Sequence, residues 1–173
     1  VLLTSHNGSN WTAIDSINSS RILTAAVWTG TQFVVIGDDG QVMTSIDGLN
    51  WNKTMGKTIK SAKSITWTGS KLVVVEDGYN NGLLISISSD GVNWTNYKNE
   101  NITDNHLRSI IWTGSRLYAA GDYGLITSVD GINWTSVQTE VGESFSSITW
   151  TGNKLIVTCN DNGYGIVLTS LDG

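Results

Sequence analysis

The chain has 173 residues, long enough to bury a real core, with 19 Gly, no Pro, 8 Trp against only 2 Phe, and abundant Ser, Thr and Asn. That composition suits short strands joined by tight turns and argues against a helical domain. With 15 acids against 10 bases and a net charge of −5, no basic face is available to neutralise a phosphate backbone, which argues against nucleic acid as a partner.

Taken in chain order, the predicted elements repeat. Val1 to Ile14 reads as two strands around Ser5-His6-Asn7-Gly8-Ser9-Asn10-Trp11. A strand then ends at Trp28-Thr29-Gly30, followed by the apolar run Phe33 to Ile36, the turn Gly37-Asp38-Asp39-Gly40, a third strand, and Ser45-Ile46-Asp47-Gly48-Leu49-Asn50-Trp51 opening a fourth. The same order recurs. Trp-Thr-Gly stands at Trp28, Trp67, Trp112 and Trp150, at spacings of 39, 45 and 38, and the Ser-x-Asp-Gly-x-Asn-Trp pattern ends at Trp51, Trp94 and Trp134, with an Asn variant ending at Trp11. A further copy opens at Ser170-Leu171-Asp172-Gly173.

Four antiparallel strands every 40 or so residues, with Gly and Asp or Asn clusters at the turns, predict an all-β propeller of four-stranded blades. The period divides one domain into a partial blade over 1–20, blades over about 21–60, 61–104 and 105–143, and an incomplete blade over 144–173. Apolar second strands such as Val73-Val74-Val75 are expected to be covered on both faces by neighbouring blades. Third-type strands outnumber the others, because Val1 to Ser5 and Ile166 to Ser170 both align there. The ends are therefore expected to pair with another chain or with further sequence rather than with each other.

The Ser-x-Asp-Gly-x-Asn-Trp copies resemble the Asp-box, or bacterial neuraminidase repeat, of sialidase-like propellers, in a form one residue shorter than usual. The resemblance covers essentially the whole chain. It implies that the box lies on the blade periphery, away from the ligand-binding face, and raises two further readings: a carbohydrate-binding, lectin-like module, or an accessory domain of a sialidase-like glycoside hydrolase. Such hydrolases use three clustered Arg, a Tyr–Glu nucleophile pair and an acid. Here Arg21 and Arg108 are expected before first strands and Arg116 at the start of a second, and no carboxylate pair is singled out.

The marked residues are accordingly assigned to structure. Asp47, Asp90, Asp130 and Asp172 are expected to hold tight turns through backbone N–H groups. Trp28, Trp67, Trp112, Trp150, Trp51, Trp94 and Trp134 are expected to fill the space between blades, and Cys159 to lie buried in a strand. Tyr79, Tyr97, Tyr118, Tyr123 and Tyr164 are candidates for surface contacts, His6 and His106 read as solvated, and Asp38, Asp39, Glu76, Asp77, Asp122 and Asp161 are expected to form an acidic rim on one face. Asn7, Asn10, Asn18, Asn52, Asn93, Asn101 and Asn133 stand in Asn-x-Ser/Thr sequons, candidate glycosylation sites on a surface protein. No residue is assigned to catalysis, a metal or a cofactor. No apolar run of 18 residues offers a membrane span. The function expected is a non-enzymatic extracellular or cell-surface structural and interaction module that takes a protein or carbohydrate ligand and self-associates through its end blades.

Overall fold

The structure, a computed structural model, describes residues 2–14, 22–56, 58–77, 82–99, 102, 106–122, 124–139, 144–161 and 163–170. Asp172, Asn18, Asn101, Arg21, Tyr79 and Tyr123 lie outside the described residues, as does the Asp161 side chain. All regular structure among the described residues is β-strand.

Three sheets are four-stranded meanders in simple sequence order. They comprise β3 (Leu23–Trp28), β4 (Phe33–Gly37), β5 (Gln41–Ser45) and β6 (Asn52–Met55); β7 (Ala62–Trp67), β8 (Leu72–Glu76), β9 (Leu83–Ser88) and β10 (Thr95–Asn99); and β11 (Leu107–Trp112), β12 (Leu117–Gly121), β13 (Gly124–Ser128) and β14 (Thr135–Val137). A fourth sheet has three strands, β15 (Ser144–Trp150), β16 (Leu155–Asp161) and β17 (Tyr164–Ser170). Before them, β1 (Leu2–Thr4) and β2 (Thr12–Ile14) pair with each other alone. Among the described residues no strand pairing joins β1–β2 to β15–β17. We number the three complete sheets blades 1 to 3 and the three-stranded sheet blade 4.

First strands of successive blades contact one another, β3 with β7, β7 with β11 and β11 with β15, so they form the innermost ring of a propeller. Side chains tie them. The Ile110 amide donates to Ser64 Oγ and the Ile148 amide to Ser109 Oγ, each at 3.3 Å. The cores lie between blades, one apolar cluster to each pair of neighbours, and the second strands β8 and β12 are buried along their whole length. Period-2 patterning is lost there because both faces are covered.

Two turns recur at one end of every complete blade. In the turn after Trp-Thr-Gly, Thr68 donates its amide to the Lys71 carbonyl at 2.9 Å and its hydroxyl oxygen accepts the Lys71 amide at 3.0 Å. Gly69 follows at φ 91°, a region few side chains tolerate. The other is the aspartate turn. Asp90 Oδ1 accepts the amides of Val92 and Asn93 at 2.8 Å, Oδ2 accepts Asn93 Nδ2 at 2.8 Å, Ser88 Oγ accepts the Gly91 amide at 2.9 Å, and Trp94 Nε1 donates to the Gly91 carbonyl at 3.1 Å. Asp47 and Asp130 make the same set.

Tryptophan burial differs from the expectation of seven equivalent core rings. Trp94 and Trp134 are buried, and Trp51, Trp67, Trp112 and Trp150 are half-buried against the inter-blade clusters. Trp28 corrects the reading: it is 47% exposed. The two-stranded sheet before blade 1 places no first strand beside it, and its ring rests instead on Phe33, centroids 4.4 Å apart. Trp11, in the turn of the two-stranded sheet itself, is 60% exposed. Tyr118 is a second correction: it occupies the β12 position that Val34 and Val73 hold in the earlier blades and is buried.

Candidate functional site

The end of the propeller opposite the aspartate turns carries one irregularity per blade. In every first strand the pairing register slips by one residue near its start, between Leu23 and Ala25, Ala62 and Ser64, Leu107 and Ser109, and Phe145 and Ser147. The residues left without a partner are Thr24, Lys63, Arg108 and Ser146. A β-bulge of this kind re-aims a side chain out of the pleat. Here three of the four are brought together at the starts of the inner strands. Lys63, Arg108 and Ser146, with Asp77, His106 and Leu107, line one cavity of about 320 Å³. Thr24 turns back, its hydroxyl donating to the Ile36 carbonyl at 3.3 Å.

The charges of this cavity are mixed. Asp77, at the end of the second strand of blade 2, lies 3.4 Å from Lys63 Nζ through Oδ2 and 2.9 Å from His106 Nδ1 through Oδ1. The contact to His106 lacks hydrogen-bond alignment, so among the described residues Asp77 Oδ1 has no hydrogen-bond donor. Arg108 grips Asp122 through Nε and Nη2 at 2.7–2.9 Å, and Ser144 Oγ donates to the same carboxylate at 2.8 Å. Burial pushes the Asp122 carboxyl up, but the Arg108 and Ser144 hydrogen bonds and the charges of Arg108 and His106 outweigh it and hold it below the usual carboxylate range.

The expected acidic rim is therefore corrected on two counts. Asp77 and Asp122 are neutralised by neighbouring cations, and Glu76 is fully buried. Its Oε2 accepts the Lys60 amide at 2.8 Å and its Oε1 meets Ser86 Oγ, which also bonds Asn96. Asp38 enters an isolated bridge with Ser61. His106, read as solvated, is an Asp77 partner; His6 is exposed. Arg108 lies inside β11 rather than before it, and Arg116 immediately precedes β12, at the opposite end of the first strand from Arg108. Tyr97 is half-buried against the cluster between blades 2 and 3, while Tyr164 is exposed. Cys159 is buried in β16.

Asp47, Asp90 and Asp130 lie at the aspartate-turn end. The Asn50 amide and side chain and the Leu49 amide hold the Asp47 carboxyl well below its ordinary range, and the Asn93 and Val92 amides do so for Asp90. At Asp130 burial pushes upward and is outweighed by Asn133 and Ile132. Of the sequon asparagines, Asn7, Asn10, Asn52, Asn93 and Asn133 are exposed, although Asn93 and Asn133 commit their side-chain amides to the turns.

Residues 54–173 match the profile of the DUF6242 beta propeller domain. The chain belongs to that family. No curated protein matches it. Among solved structures, the DUF6242 chain is similar to YCF48 from Cyanidioschyzon merolae (TM-score 0.65, 14% identity, 91% of this chain and 55% of that one), to a chain of the nidogen/laminin complex (0.67, 14%, 94% and 64%) and to YCF48 bound to D1 peptide (0.64, 19%, 96% and 55%). It spans between half and two thirds of these chains. At such identities the likeness shows the fold.

The bulge residues escaped the sequence reading although a signal existed. Each stands four residues before the Trp of Trp-Thr-Gly, where the residue runs Thr, Lys, Arg and Ser through the four copies.

Proposed function

We propose that this propeller is a non-enzymatic, extracellular interaction module whose channel-mouth cavity takes a polypeptide segment of mixed charge. The observation that carries the reading is the convergence of three bulge side chains, Lys63, Arg108 and Ser146, on one cavity beside Asp77 and His106. Cations and anions alternate there, so a ligand with both signs of charge exchanges partners without leaving a charge unpaired. Among the described residues lining the cavity there is no Trp, Tyr or Phe face for a sugar to stack on, which favours polypeptide over carbohydrate. Similar propellers are seen with a D1 peptide and in a nidogen/laminin complex.

In this reading the aspartate turn is a short Asp-box that serves structure alone. Exposed sequons and a likeness to the extracellular domain of BT4673 from B. thetaiotaomicron (TM-score 0.59, 14% identity, 88% of this chain and 22% of that one) support a place outside the cell. No helix among the described residues is long and apolar enough to cross a membrane.

The test is selection of a displayed random-peptide library on the immobilised chain. Selected peptides are expected to lose on the order of tenfold affinity or more against a His106→Ala/Arg108→Ala variant, and to weaken with salt. Unchanged binding to that variant would overturn the assignment of the cavity. Carboxylate-dependent turnover of sialosides or β-glucans would overturn the non-enzymatic reading.

A further inference from the structure

An aspartate immediately follows the second strand of each complete blade, at Asp38, Asp77 and Asp122. The later two meet equivalent neighbours: the bulge residue of their own blade, Lys63 or Arg108, and the residue six before the next blade's Trp-Thr-Gly tryptophan, His106 or Ser144. Their carboxylates end in opposite conditions. Asp122 accepts three hydrogen bonds from the Arg108 guanidinium at 2.7–2.9 Å and a fourth from Ser144 Oγ at 2.8 Å. Asp77 has only Lys63 Nζ, 3.4 Å from Oδ2 and beyond the roughly 2.7–2.9 Å of a strong charge-assisted hydrogen bond. Its Oδ1 is shielded from solvent and, among the described residues, accepts no hydrogen bond, although His106 Nδ1 lies 2.9 Å away. A carboxylate oxygen held in this way is a costly arrangement. Blades 2 and 3, which enclose it, both have all four strands, so the deficit belongs to the interior of the repeat array.

We infer that Asp77 is the seat for an arginine side chain of the bound polypeptide, an inference that rests on the channel-mouth reading above and names the cationic half of its ligand. The chain itself supplies the template. In blade 3 the equivalent carboxylate is filled by a guanidinium, whose planar fork reaches both oxygens at once, whereas in blade 2 the point charge of Lys63 leaves Oδ1 without a donor. An incoming arginine turns the His106 ring away from Oδ1 and repeats the Arg108–Asp122 contact on Asp77. Lys63 is then released to the ligand's anionic group, so the exchange leaves no charge unpaired. A ligand lysine would only duplicate what Lys63 already provides.

The probes are pools of acetylated, amidated pentapeptides whose central residue is fixed as Arg, Lys or citrulline and whose other positions are randomised without Arg, Lys or Cys, passed over the immobilised chain. Citrulline keeps the shape of arginine and removes its charge. Retention of the Arg pool is expected to exceed that of the Lys and citrulline pools on the order of tenfold, and Asp77→Asn, checked for an unchanged melting transition, is expected to erase the difference. In the unsubstituted chain the Arg pool is expected to shift the His106 ring signals in NMR, a readout that needs no variant. Equal retention of the Arg and Lys pools, an Arg preference that survives Asp77→Asn, or unshifted His106 signals would overturn the seat while leaving the mixed-charge reading in place. No retention of any pool while library-selected peptides still bind would overturn the seat alone; if those peptides fail as well, the channel-mouth reading falls with it.

Discussion

The two ends of this propeller are built from the same repeat and treat it in opposite ways. At the aspartate-turn end, three copies share one hydrogen-bond set, with the carboxylate-to-amide distances all between 2.7 and 2.8 Å. At the channel-mouth end, the backbone irregularity is repeated but the residue it presents is not: Thr24 bonds its own strand, Lys63 and Arg108 take different aspartates, and Ser146 completes the cavity wall. Uniform chemistry in a repeat marks what every blade needs in order to fold. A side chain that varies on a conserved backbone device marks where the molecule meets something else.

The largest effect should come from removing a ring that closes an inter-blade space. Trp134→Ala, at 5% exposure, is expected to cost about 3–5 kcal/mol in denaturant unfolding, while Trp28→Ala, at 47%, should cost about 1 kcal/mol. Equal losses would mean that the pattern position, rather than the neighbouring blade, sets the contribution.

Next in size is the buried Glu76, which sits at the channel-mouth end yet belongs to the fold. Glu76→Ala strands the Lys60 amide, while the Ser86 hydroxyl keeps Asn96, and should cost about 1–3 kcal/mol. Glu76→Gln keeps an oxygen for the amide and should recover much of the loss, as judged by melting temperature.

Smaller still, Asp130→Ala removes the acceptor for two amides and should cost about 1–2 kcal/mol. Asp130→Asn should cost less, because Asn7 already holds the same turn, its Oδ1 accepting the Ser9 and Asn10 amides at 2.9 Å. These carboxyls are lowered in the folded state from an ordinary value of 3.8. Their contribution is therefore complete above about pH 4 and is lost as the pH falls through the lowered folded values. The Ala variant should show a shallower acid limb in a stability–pH profile than the wild-type chain.

The blades, the turns and the structural role of the aspartates could be read from the sequence because each depends on residues adjacent in the chain. What could not be read depends on the next blade. Trp28 and Trp67 share one motif, but their burial is decided by which strands lie beside them. Glu76 follows three valines and looked like a turn acid until Ser86, Asn96 and the Lys60 amide closed around it. The bulge that gathers Lys63, Arg108 and Ser146 is a one-residue slip in pairing, which no hydrophobic pattern announces.

The most direct measurement of this division sets stability against binding in the same variants. Arg108→Ala, an exposed ion pair with Asp122, is expected to change unfolding free energy by no more than about 0.5 kcal/mol and to lose affinity for library-selected peptides. Asp130→Ala is expected to lower stability and leave that affinity unchanged below its melting transition. Two variants separating along these axes is the predicted result. Stability and affinity falling together in both would contradict the assignment of one end to the fold and the other to recognition.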